Sequence, residues 1–258
     1  MIRVVGIILL LITGTQVQGQ TNWPMSVNNN PSVEQGFLGS VSNPAIFGDE
    51  RLSAGLLYLN RALSSTINAG GFGVNLKQKH SNIGLSAWRQ GTENLNRQKV
   101  QLNLGQEISE KFALGVSVGM QRLTQSQNYG NLNQLNGAVF ATLKPVKEFS
   151  ASAYWLGIAK YGTEDADQEA GLAVNYNASK SVIVSGLLKS SPNWDPSLGL
   201  SIAYSYKEKV RAQLTATDSP EPLLLSLMLT QSEWSPFIQI RQHNDLGLGF
   251  SIGVQWSK

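Results

Sequence analysis

Along much of the chain, large apolar residues and small neutral ones take turns. Phe112, Leu114, Val116, Val118 and Met120 alternate with Ala113, Gly115, Ser117 and Gly119. Leu198, Leu200, Ile202, Tyr204 and Tyr206 alternate with Ser197, Gly199, Ser201, Ala203 and Ser205. The stretch "LGLGFSIGVQWSK" sets Leu248, Phe250, Ile252, Val254 and Trp256 against Gly249, Ser251, Gly253, Gln255 and Ser257. A period of two is the signature of a strand whose faces meet different surroundings. "KVQLNLG" and "AGLAVNY" repeat it, and weaker runs lie near 52–60, 66–76, 82–89, 135–143, 149–159, 181–189, 210–217, 222–230 and 236–241. The pattern predicts about fourteen strands, with twelve as the lower count, each of roughly the 8–12 residues that cross a bilayer at a tilt.

Two settings accommodate such strands. A soluble sandwich also alternates, but its wet face carries Lys, Glu, Arg and Asp in mid-strand. Segments 112–121, 197–206 and 246–257 hold no charge at all. In a transmembrane barrel the large aliphatic face meets lipid and the small face lines a crowded lumen. Closure also removes the strand edges that hydrocarbon would leave unpaired. The expected fold is therefore all-β, a closed antiparallel transmembrane barrel.

The connections divide into two sets. One is short and mostly lysine-bearing, as in "KQKH" (77–80), "EISEK" (107–111), "KPVKE" (144–148) and "YKEK" (206–209), which suits periplasmic turns. The other is rich in Asn, Asp, Gly, Ser and Pro, as in "LTQSQNYGNLNQ" (123–134), "YGTEDADQ" (161–168) and "KSSPNWDPS" (189–197). Tyr129 and Trp194 fall in this outer set, as candidate anchors for a partner protein. Trp88, Tyr154, Trp155, Tyr204, Trp234 and Trp256 are expected near strand ends, where interfacial girdles sit.

Composition narrows the picture further. Charged residues make up 14% of the chain, against roughly 25% in a typical soluble domain. The net charge of +3 is dispersed, without the basic stripe of a nucleic-acid binder. There is no cysteine, hence no disulfide, thiolate metal site or lipoprotein anchor. Residues 1–19, with one arginine and an apolar run from Val4 to Ile12, read as a signal peptide cleaved after Gly19. The chain is then exported, with its barrel (51–258) in outer-membrane lipid. Residues 20–50, apolar in their second half, are expected to fold into the barrel mouth as a hatch.

Catalytic chemistry is not expected. His80 lies in a predicted turn and His243 in a predicted loop, and no carboxylates are placed beside them for a metal site or a triad. Gly247, Gly249 and Gly253 share a strand face, which excludes a dinucleotide fingerprint. No cofactor is implied.

"SNPAIFGDERLSAGLLYLN" (42–60) resembles the start of the FadL-like outer-membrane barrels, and Asn43, Pro44 and Ala45 match their hatch motif. Residues 82–123 and 210–256 are similar to the hairpins and closing pattern of the Bacteroidota branches, the PorP/SprF-like and PorV/PorQ-like proteins of type IX secretion. The segment "YLNRALSS" and the ending Trp-Ser-Lys depart from the PorP/SprF pattern. The resemblance implies a non-catalytic barrel serving protein secretion or surface attachment, partnered by another cell-envelope or secreted protein. A FadL-like transporter of hydrophobic small molecules is the alternative, and a small porin the third. Short outer loops and a lumen face expected to be small and neutral favour the first.

Overall fold

A computed structural model describes residues 43–46, 51–60, 68–92, 95–125, 131–160, 166–191, 194–218, 222–231, 233–244 and 247–258. At 125, 158–160, 166–167 and 194–195 it describes the backbone alone. The described strands are β1 (Leu52–Asn60), β2 (Asn68–Gln78), β3 (Ser81–Gly91), β4 (Leu95–Ser109), β5 (Phe112–Gln125), β6 (Asn131–Val146) and β7 (Phe149–Lys160). They continue as β8 (Ala166–Asn177), β9 (Val182–Ser191), β10 (Trp194–Tyr206), β11 (Val210–Thr217), β12 (Leu223–Leu229), β13 (Trp234–His243) and β14 (Gly247–Ser257). Each pairs antiparallel with its sequence neighbours, and β14 returns to β1, from Ser53 opposite Ser257 to Asn60 opposite Phe250. The result is a closed barrel of fourteen strands.

The alternation in sequence sets the two faces. On β5, Leu114, Val116, Val118 and Met120 stand exposed on the outside, while Ala113, Ser117 and Gln121 are buried inside. Leu200, Ile202, Leu248 and Ile252 also face outward, and Phe250 is half-buried against Tyr58, with ring centroids 6.2 Å apart. An outer surface this apolar cannot rest against water on a monomer; against lipid it is the stable arrangement. No helix among the described residues is long and apolar enough to cross a membrane. The strands do the crossing.

Several strands run past the alternating segment that announces them. β4 and β6 extend over 15 and 16 residues, through the polar stretches around 95–99 and 131–134. There most residues on both faces are polar, so the backbone ladder continues without a sequence period to reveal it. At the short-turn end the left-handed residues Lys79 (φ 47°), Lys207 (φ 49°) and Glu208 (φ 58°) reverse the chain between β2 and β3 and between β10 and β11. Such φ values suit tight hairpin turns.

The aromatic girdle needs correcting. Trp155, Tyr204 and Trp234 face outward, and Trp256 packs beside Trp234 at 6.4 Å while donating to Glu233. Trp88 and Tyr154 instead point into the lumen. Position along a strand says how near a residue is to the interface, but parity decides its face. Trp88 shares parity with Asn82, Gly84 and Ser86, which are inward.

Placing arginine at Val116, in the apolar stretch of β5, should cost about 2–4 kcal/mol if it lies near the bilayer midplane. Arginine at Ser117 should act instead through crowding of the lumen. Urea unfolding of each variant in lipid vesicles measures the difference. Equal, near-zero effects at both positions would contradict the assigned faces.

Candidate functional site

Reading across the strands, the inward residues fall into rows. One row runs Asn82–Gly105–Gly115–Phe140–Tyr154–Gly171 from β3 to β8. Against its glycines sits the turn of residues 43–46. The Asn-Pro-Ala sequence makes that turn locally. Ile46 N donates to the Asn43 carbonyl at 3.0 Å, and Ala45 N donates to Asn43 Oδ1 at 3.0 Å. Asparagine followed by proline suits this geometry, because the amide side chain caps the turn and proline presets φ.

The barrel wall holds the turn from several sides. Asn82 Nδ2 donates to the Pro44 carbonyl at 3.1 Å and reaches that of Ile46 at 3.5 Å. Asn43 Nδ2 donates to Thr142 Oγ1 at 3.4 Å, and Thr142 in turn bonds Ser152 at 2.9 Å. Ala45 packs with Ala113, Ala138 and Phe140, flanked by Tyr154 and Leu156. Asn43, Pro44 and Ala45 are all essentially inaccessible. Gly105 and Gly115 form the notch beneath them. A Cβ on Gly105 would collide with the Pro44 carbonyl, and one on Gly115 would lie 2.7 Å from Ala45 N and 2.8 Å from Pro44 Cγ.

Farther up the β2–β6 wall the lining is amide and hydroxyl. Asn75, Gly84, Asn103 and Ser117 form one row, and Gly73, Ser86, Gln101, Gly119 and Asn136 the next. Gln101 Nε2 donates to Asn103 Oδ1 at 2.5 Å. Six polar atoms here are buried with no hydrogen-bond partner among the described residues: Asn75 Oδ1, Ser86 Oγ, Trp88 Nε1, Gln101 Oε1, Asn103 Nδ2 and Asn136 Nδ2.

A third row is largely apolar. It passes Met228, Phe237, Gly253, Leu57, Gly71 and Trp88, from β12 through β14 and β1 to β3. Phe237 lies over Gly253, where a Cβ would meet its ring, as the Tyr154 ring covers Gly171. Beside Trp88 comes Lys99, 4% exposed on the inward face of β4, and Arg241 is buried on β13, donating to Gln239 and Ser251. The lumen is thus neither uniformly small nor neutral, contrary to expectation. Lys99 follows the parity of Gln101 and Asn103, so counting back from Val100 and Leu102 would have exposed it in the sequence. Large inward side chains over glycines leave no such signal, because they need cross-strand register.

Other expected residues lie apart. Tyr129 falls outside the described residues, and so does the side chain of Trp194, whose backbone opens β10 opposite Ser191. His80 is exposed in its turn but contacts Glu107, at 3.2 Å, and His243 closes β13 opposite Gly247. Among the described residues no group of three His, Cys, Asp or Glu side chains is placed to hold a metal.

Alanine at Gly105 or Gly115 should loosen the turn, at about the 1–3 kcal/mol typical of overpacking. The chain has no cysteine, so a single Ala45→Cys reports directly. Maleimide labelling at 45 should be slow in that background and faster once Gly115→Ala is added. The outward Gly137→Ala, with 3.7 Å to its nearest neighbour, should change nothing. Equal labelling rates in all three would contradict the notch.

No protein-family description and no curated protein matches the chain. Solved structures do. The toluene transporter TodX of Pseudomonas putida superposes with a TM-score of 0.62 at 10% identity, over 95% of this chain and 100% of that one. A Pseudomonas aeruginosa FadL homologue gives 0.60 at 10% identity, over 94% and 99%. The KdgM porin in complex with disordered oligogalacturonate gives 0.50 at 9% identity, over 80% and 99%. At such identities the likeness is one of fold: this chain is a closed fourteen-strand barrel built like the FadL- and TodX-type outer-membrane channels.

Proposed function

We propose that the protein is an outer-membrane channel on the FadL plan, passing small hydrophobic molecules past an N-terminal hatch. Residues 1–19 direct export, residues 20–50 supply the hatch, and residues 51–258 form the conduit. The observation that carries this reading is the Asn43–Pro44–Ala45 turn, held against the inner wall at Gly105 and Gly115 in a barrel of the TodX type. A turn so held occupies lumen volume that a permeant would use. The row Met228–Phe237–Gly253–Leu57–Gly71–Trp88 supplies apolar surface on the same inner face as the amides and meets them at Trp88. Apolar surface in a largely polar lumen favours an apolar passenger, which gains there what water denies it.

Service to type IX secretion or surface attachment is the second reading. It rests on the sequence resemblance of segments 82–123 and 210–256, and on connections of seven residues or fewer between strands. Loops so short dock against a larger partner more readily than they enclose a ligand, with Tyr129 and Trp194 as the proposed anchors.

Gene deletion distinguishes the two. The channel reading expects slower uptake of a labelled hydrophobic solute such as toluene, with surface proteins displayed normally. Normal uptake together with lost secretion or display of an envelope protein would overturn it in favour of the second. Removing residues 21–47 should raise single-channel conductance in planar bilayers, and an unchanged conductance would contradict the hatch.

A further inference from the structure

Charge is kept off the outward face of the barrel with one exception. Of the charged residues within the described strands, only Arg89 on β3 and Arg122 on β5 share the outward parity of Leu85 and Val118. Lys99, Glu169 and Arg241, by contrast, take inward positions. Both outward arginines are exposed, and neither makes a hydrogen bond or ion pair with another described residue. They share one cross-strand row, Tyr58–Gly70–Arg89–Gln98–Arg122–Asn133, at the end of the barrel away from the short turns. Gln98 stands exposed between them and donates one of its two amide hydrogens to Asn96 Oδ1, at 3.2 Å. With neighbouring strands about 4.8 Å apart, the two arginine Cα atoms stand roughly 10 Å from each other, within reach of one anionic group.

The next row toward mid-barrel is wholly apolar. It runs Leu56–Phe72–Ala87–Val100–Met120–Leu135, and every member but Ala87 is a large, exposed hydrophobic residue. Ten residues of β5 lead from Phe112 to Arg122. At about 3.3 Å per residue and a tilt near 40°, they climb roughly 25 Å, the height of a barrel's apolar band. The arginine row therefore lies where hydrocarbon gives way to head groups. An arginine facing lipid costs little at that depth, but two unpaired cations side by side repel each other. An anion between them relieves the repulsion.

We infer that this row binds the phosphate-bearing head group of an outer-leaflet lipid, with Arg89 and Arg122 on the phosphate and the acyl chains laid over Phe72, Val100 and Met120. Guanidinium groups hold phosphate through paired N–H donors. Gln98 and Asn133, on either side of Arg122, add neutral donors. The apolar row beneath offers the chains a bed that a free phosphate could not use. An acidic protein would meet the same cations, but not the aliphatic residues directly below them, which lie in hydrocarbon. The inference holds whichever solute the lumen passes.

The test uses the full mature chain in neutral detergent micelles, titrated with diphosphoryl lipid A, with the lipid-bound fraction read by native mass spectrometry. Saturable binding is expected, while phosphatidylcholine, whose phosphate carries its own counter-cation, stays unbound at the same concentrations. Arg122→Gln should raise the half-saturation concentration several-fold, and Arg89→Gln combined with Arg122→Gln by about tenfold or more. Lys79→Gln combined with Lys207→Gln removes the same charge at the opposite end and should change nothing. Heat-modifiable gel mobility reports folding; should the arginine double variant lose it, the two single variants carry the comparison. Inorganic phosphate at matched concentration should leave the lipid in place, and displacement by it would overturn the lipid assignment in favour of a free-anion site. No saturable binding of lipid A, equal binding of phosphatidylcholine, or equal weakening by the two double variants would also overturn the inference.

Discussion

Hydrocarbon offers no hydrogen-bond partners, so every backbone N–H and C=O that crosses the bilayer must be satisfied by the chain itself. The pairing of β14 with β1 meets that requirement, because it leaves no edge in the ring of strands. Closure also fixes register. A slip of one residue would turn the Gly, Ala and Ser positions of β5 and β10 to lipid and bury their large aliphatic residues in the lumen. The outer apolar belt and the inner amide and glycine face are thus consequences of one sealed ladder.

Inside that ladder, glycine shapes the lumen more than any charged group does. Gly253 and Gly171 let the rings of Phe237 and Tyr154 lie flat on the wall, and Gly105 and Gly115 admit the 43–46 turn. Among the described residues, side chains and a backbone turn thus interlock against the glycine positions of the inner wall. The inner wall carries two distinct surfaces, an apolar row and an amide wall, with Trp88 where they join.

Much of this was legible in the sequence, for one reason. The period of two is local, so the strands and the faces of Leu114, Val116, Ile202 and Ile252 follow from neighbouring residues alone. The segment 52–60 was legible to the residue. What depends on pairing across strands was not. Nothing within β4 or β5 says that Gly105 and Gly115 lie side by side, or that both meet Pro44. The inward turn of Trp88 and Tyr154 was open to parity counting, but an aromatic near a strand end satisfies the girdle pattern equally well. The Asn-Pro-Ala turn was legible as a motif, whereas its partners Asn82 and Thr142 emerge only once the barrel closes.

The central claim is that one face of each strand meets lipid and the other a packed lumen. Spin labels placed singly along 113–121 of β5, in the protein reconstituted in vesicles, measure this most directly. Collision with oxygen should rise and fall with a period of two, high at Leu114, Val116, Val118 and Met120. At Ala113, Ser117 and Gln121, collision with both oxygen and a water-soluble nickel complex should be low. High collision with the nickel complex at every position, or no period at all, would contradict the account.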